Sequence, residues 1–357
     1  MTRLKKMLFL ACLGFFALAG LQPVQAAEKK TFRFAWSIYA GFMPWVYAEQ
    51  SGILKKWADK HGVEITLTQF NDYIESINQY TAGEFDGVLA TNMDALSIPA
   101  AGGVDTSMLI MGDYSNGNDA LVVKGKGKTL ADLKGLPVSL VELSVSHYLL
   151  SRALAEAGLS EADVRTVNIS DADYIPAWNA EETVAMAAWK PGLSVIEAQP
   201  DASVVFNSAQ IPGEIMDVAI VNTTTLRENP AFGKALVGAW YETLALMQGD
   251  SAEAKAARSL MAEASGTDLA GYDTQLATTH LFLTPGEAVA FMRDPAIRTR
   301  MELVRDFCFD HGLLGEGAKS KEAIGIALPD GTILGDPQNV KLRFAPDITA
   351  LAADGKL

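Results

Sequence analysis

Cysteine, histidine and positive charge are all scarce in this chain. Of its two cysteines, Cys12 lies in an apolar N-terminal run and only Cys308 lies elsewhere. No internal disulfide framework is therefore available, and stability has to come from packing. The four histidines, His61, His147, His280 and His311, are scattered. No His-x-x-x-His or paired-cysteine spacing offers a metal centre, and no Gly-x-x-x-x-Gly-Lys-Ser/Thr loop offers a phosphate cradle. Lys and Arg number 29 against 43 Asp and Glu, a net charge of −14. Without clustered cations the chain lacks the footprint of a nucleic-acid or anionic-membrane binder. What it does have is length and apolar content: 357 residues at 49% hydrophobic exclude a largely disordered protein and allow two domains with sizeable cores.

The N-terminus carries Arg3, Lys5 and Lys6, then an apolar run from Met7 to Gly20, then "LQPVQAAEKK". This order of charge, apolar run and small residues predicts a secretory signal peptide over residues 1–26, cut between Ala26 and Ala27. The run is short for a bilayer span of roughly 20 residues, so a retained anchor is the weaker alternative. Export without disulfides points to the periplasm of a Gram-negative cell.

Beyond residue 26 strands and helices alternate. "TFRFAW" and "GVEITLTQF" read as strands, and "DYIESINQYTAGEFDGVLA" as a helix stopped near Gly83 and followed by a strand; "SMLIMGD" is another. A second block opens at "ALVVKG" and "LPVSLV", with a helix over Ser144–Ala157 ended by Gly158, and strands at Val164–Ile169, Thr183–Ala188 and Ser203–Phe206. "DVAIVNT" leads the chain out again, and residues 229–311 read as mainly helical. The expected class is α/β, bilobal, with 27–118 and 224–357 forming lobe 1 and 119–223 forming lobe 2. The segments near Ala120–Val123 and Val218–Asn222 are the expected crossings, with a ligand cleft between the lobes at the carboxyl ends of the strands.

Long motifs carry a resemblance. "GFMPWVYAEQSGILKKW", "KTLADLKGLPVSLVELSVSHYLLSRAL" and "AMAAWKP" resemble periplasmic solute-binding proteins of the nitrate, sulfonate and taurine type that feed ABC importers. "WSIYAGFMPW", "NDYIESINQYTAGEFDG", "TNMDALSIPAAGGVD", "SNGNDALVVKGKG" and "VELSVSHYLL" resemble the subgroup linked with urea carboxylase, whose substrate is better regarded as guanidine. The resemblance implies a type II-like periplasmic-binding-protein fold and hinge closure on guanidinium or urea. It further implies a monomer without cofactor, serving an ABC permease and its ATPase subunits. A sulfonate, taurine, nitrate or pyrimidine ligand is the alternative. A related fold serves thiamine-pyrimidine synthesis enzymes, but their cysteine-rich iron motif is missing.

The residues themselves speak to the ligand's charge. An oxyanion binder needs Arg forks or convergent N–H groups. Between Ala35 and Leu226 the only arginines are Arg152, inside a helix, and Arg165, opening a strand. Lys190 is the one base near a predicted strand end. Acids recur there instead: Asp72, Asp94, Asp113, Asp119 and Glu142. Helix capping explains Asp72 and Asp113 well enough. Asp94 and Glu142 are the favoured acceptors, because carboxylates at collected helix N-termini spoil an anion site and suit a planar cation. Trp36, Tyr39, Trp45 and Trp189 are expected to wall it, Tyr39 foremost, although their spacing also fits a turn packed into the core. Ser37, Asn92, Ser144 and Asn222 are caps or polar contacts. His147, one turn into its helix, is a structural histidine or an orienting group.

Overall fold

The computed structural model describes residues 29–357; the expected signal peptide lies outside the described residues. Among the described residues fourteen strands form two sheets. They are β1 (Thr31–Ser37), β2 (Glu64–Phe70), β3 (Gly87–Thr91), β4 (Thr106–Ser115), β5 (Asp119–Lys124), β6 (Pro137–Leu140) and β7 (Arg165–Asn168), then β8 (Ala185–Trp189), β9 (Ala202–Asn207), β10 (Met216–Asn222), β11 (Thr279–Leu281), β12 (Gly325–Ala327), β13 (Ile333–Leu334) and β14 (Val340–Phe344). The larger sheet runs β13-β12-β14-β4-β10-β3-β1-β2, with β11 on β4; the smaller runs β7-β6-β8-β5-β9.

Burial follows strand position. Central β3 and β8 are buried at every residue and read as unbroken apolar or small runs, as strands covered on both faces do. β2, at the sheet edge, buries only Leu67 fully. The helix Tyr73–Thr81 covers the larger sheet with Tyr73, Ile77 and Tyr80, spaced to share one face. In the second body the helix Val145–Glu156 buries Leu149, Leu150, Ala153 and Leu154.

One element departs from its expected place. β10 was expected to serve as a crossing beside lobe 2, yet it hydrogen-bonds between β3 and β4, antiparallel to both. The physical reason is its composition: MDVAIVN is buried through Val221 and needs ladder partners on both edges. This placement carries a chemical consequence. β1, β3 and β4 run in one direction and β10 in the other, so the amino end of β10 lies beside the carboxyl ends of its neighbours. In the smaller sheet β5 opposes β8, which pairs Asp119 with Trp189.

Candidate functional site

Those strand ends face one another across a cavity. The first body contributes Ser37 from β1, Tyr39 and Phe42 from the loop after it, Tyr73, Thr91 from β3, and Ile215 and Asp217 around the start of β10. The second body contributes Asp119, Trp189 and Val145. None of these residues is basic.

Aromatic rings form the walls. Tyr39 and Phe42 meet edge to face at 4.9 Å, and Trp189 is met edge to face by Tyr73 at 5.5 Å and by Tyr174 at 5.2 Å. The Tyr73 hydroxyl is fully engaged: it donates to Asp94 Oδ2 at 2.8 Å and accepts from the Thr91 N–H at 2.8 Å.

Carboxylates make the floor, and their pairing is unusual. Asp113 and Asp217 sit directly opposite each other on β4 and β10, so their side chains share one face of the sheet, where like charges repel. Both are buried, and Asp113 Oδ2 and Asp217 Oδ2 have no hydrogen-bond donor. Tyr39 OH donates to Asp113 Oδ1 at 3.2 Å. Gly41 makes room for this acid: a side-chain carbon there would overlap the Asp113 carboxylate. Two facing carboxylates without a cation resolve their repulsion by sharing a proton. Accordingly burial, offset in part by hydrogen bonds from its partner and Tyr39, raises Asp113 to about 7. Asp217 is pushed well above the usual carboxylate range by burial and by the charges of Asp113 and Asp119. Asp119 rises to about 7, mainly by burial, with the nearby Asp94 charge adding to it. Asp94 rises to about 6 by burial against the hydrogen bonds it receives from Tyr73 and Thr91.

The bases closest in sequence to this site are committed elsewhere. Lys190 Nζ lies 3.3 Å from Thr278 Oγ1 and 3.4 Å from Glu197 Oε2. Arg152 forks onto Glu214 at 2.8 and 3.0 Å, and Tyr148 OH donates to the same acid.

The structure brings four of the expected contact residues to the cavity: Ser37, Tyr39, Asp119 and Trp189. Asp94 stands behind Tyr73 and Thr91, one layer back. The remaining expectations are corrected. Trp45 is core, between Phe34 and Trp240 at 5.3 Å each, and Trp36 is buried without lining the cavity. Asp72 caps the helix Tyr73–Thr81 and accepts from Ser170 at the cleft edge. Asn92 spends its amide on Glu214 O and the Met216 N–H, holding β10 in place. Glu142 is only partly buried, and its backbone N–H bonds to Asn168 while its carboxylate stays clear of the cavity. Ser144 and Asn222 are helix N-caps. His147 packs against Phe307 and faces Glu161. Conversely, sequence reasoning passed over Asp217 and assigned Asp113 to capping. The signal was present: each Asp interrupts a strand that is otherwise apolar, "MLIMGDYS" and "IMDVAIV", where a solvated turn has no place.

Among solved structures the chain is similar to the alkanesulfonate-binding protein of Xanthomonas axonopodis pv. citri bound to MOPS, with a TM-score of 0.64 at 20% identity over 82% of this chain and 96% of that one. It is also similar to the periplasmic nitrate-binding protein of Synechocystis PCC 6803, TM-score 0.58 at 12% identity, covering 92% of this chain and 99% of that one. These likenesses show the periplasmic-binding-protein fold. In sequence it is similar to the taurine-binding periplasmic protein of Escherichia coli (strain K12), 24% identical over 191 residues. That match takes in 51% of this chain and spans 58% of the length of that protein. Residues 25–263 match the NMT1-like family, which is two thirds of the sequence, and the chain belongs to that family.

Proposed function

We propose that the chain is the periplasmic substrate-binding component of an ABC importer, and that its guest is a small planar cation, guanidinium before neutral urea. In this reading the body of the larger sheet, β10 included, and the body of the smaller sheet are two lobes that close on the guest, which favours the closed state by its greater affinity for it. An inner-membrane permease and its ATPase subunits receive the guest, and no bond is made or broken.

One observation carries the ligand class: buried Asp119 and Asp217 line a cavity whose lining holds no base, and Asp113 stands opposite Asp217 on the neighbouring strand. A guanidinium ion offers N–H donors that match forked carboxylates and flat faces that suit Tyr39, Phe42 and Trp189. The relatives named for taurine, alkanesulfonate and nitrate favour an oxyanion as the second reading. Against it stands electrostatics, because an anion here would face carboxylates at close range without a compensating cation. Binding calorimetry against guanidinium, urea, taurine and nitrate tests the assignment. Guanidinium heat with silence from taurine and nitrate supports it; saturable binding of either anion at this cleft removes it.

A further inference from the structure

A second cluster of titratable groups lies away from the cavity. His311 follows the helix Ala296–Asp310, which packs on Asn92–Ala95 in the first body, whereas His147 and Glu161 belong to the second. His311 Nε2 lies 2.8 Å from Glu161 Oε2 and 3.0 Å from Oε1, and its Nδ1 lies 2.8 Å from the Phe307 carbonyl. Both ring nitrogens thus face acceptors only. An imidazole satisfies two acceptors only when it carries both protons. Only the imidazolium form makes both contacts at once, and its bond to Glu161 is then a charge-assisted one that crosses between the bodies.

His147 stands beside the same carboxylate, with its Nε2 outside hydrogen-bonding geometry. The Leu143 N–H donates to its Nδ1 at 3.2 Å, which leaves the proton of the neutral ring on Nε2, 3.4 Å from Glu161 Oε2. The two rings stand 4.9 Å apart, and Phe307 closes over His311 at 4.0 Å. The ligand atoms of His147, Glu161 and His311 lie within 4.8 Å of one another, a spacing that a divalent metal could bridge. The Leu143 contact argues against that use, because it occupies the lone pair that a neutral, Nε2-ligating histidine must protonate.

We propose that His311, Glu161 and His147 form a proton-dependent latch that holds the two bodies together in the closed state. Glu161 is the fixed element: it is held down to about 2, chiefly by His147, so it stays anionic through the working range. His311 is the variable one, since histidine changes charge within the physiological range. Protonation ties the bodies, and loss of the proton releases them. The latch would grip the loaded protein in an acidic medium and ease opening in a neutral one.

The experiment is a distance measurement between spin labels, one on the exposed surface of each body, in the guest-free protein at about pH 5.5 and about pH 8.5. Asp113, Asp119 and Asp217 also titrate across the cleft, so wild type is compared with His311→Gln, in which those acids are unchanged. The latch predicts that at the lower pH His311→Gln has a closed-to-open ratio about tenfold or more below wild type, and that the two proteins coincide at the higher pH. Glu161→Gln should reproduce the loss, and it carries the test if His311→Gln fails to fold by thermal melting. Equal distance distributions for wild type and variants at both pH values overturn the proposal. Zinc titration that closes wild type at the higher pH, and is abolished by Glu161→Gln, would instead mark a metal site and equally overturn it.

Discussion

Capture of a cation at this floor has to be linked to proton release, and the size of the effect follows from the geometry. Without a guest, Asp113 and Asp217 share a proton and Asp119, at about 7, is half protonated near neutral pH. A guanidinium placed about 4 Å from a carboxylate interacts with it by about 4 kcal/mol at an effective dielectric constant of about 20. At 1.36 kcal/mol per unit, that lowers a carboxylate's proton affinity by about three units. Asp119 then ionises fully, and part of the shared proton leaves with it, for roughly one proton released per guest at pH 7. Guanidinium keeps its own charge throughout, so the sign is fixed. Affinity rises as pH rises from about 5 to about 8, approaching tenfold per unit, and levels off once the acids are ionised in the empty site. Calorimetry in two buffers of different ionisation enthalpy reads the proton count directly. Equal enthalpies in both, or proton uptake, refute the reasoning, and uptake would indicate a guest of negative charge.

Four further outcomes follow. Asp217→Asn should weaken guanidinium by about 1.5–3 kcal/mol in calorimetry. The same change should raise the melting temperature of the empty protein near pH 8. Acids whose folded pKa lies above the unfolded value favour folding below the unfolded pKa and lose that contribution as pH rises through the folded one, here between about 4 and about 7 and higher for Asp217. Glu142→Gln should leave guanidinium affinity within about 0.5 kcal/mol of wild type, because Glu142 stands clear of the cavity. Gly41→Ala should destabilise by about 1–3 kcal/mol and weaken binding, since its methyl group displaces the Asp113 carboxylate; an unchanged denaturation midpoint would contradict the packing described.

The sheets and the helices over them were legible because each segment's periodicity matched its burial. "TFRFAWS", "YIESINQYT" and "AMAAW" fold as their patterns require. That acids rather than arginines gather at these strand ends was legible too. Which acids make the floor was not. Local sequence cannot distinguish an Asp that caps a helix, such as Asp72, from one that meets a partner 104 positions away, as Asp113 meets Asp217. That contact depends on β10 inserting antiparallel between β3 and β4, a non-local choice made by its apolar composition. Trp45 misled for the opposite reason, because an aromatic after a strand end is equally at home under the sheet. The His311–Glu161 contact, 150 residues apart in sequence, had no local signature.

The most direct measurement is a crystal structure of the protein grown with guanidinium. The account predicts the ion flat between Tyr39 and Trp189, with its N–H groups on Asp119 and Asp217. An oxyanion found there instead, held by Lys190 or Arg152 swung in from their present partners, would contradict it.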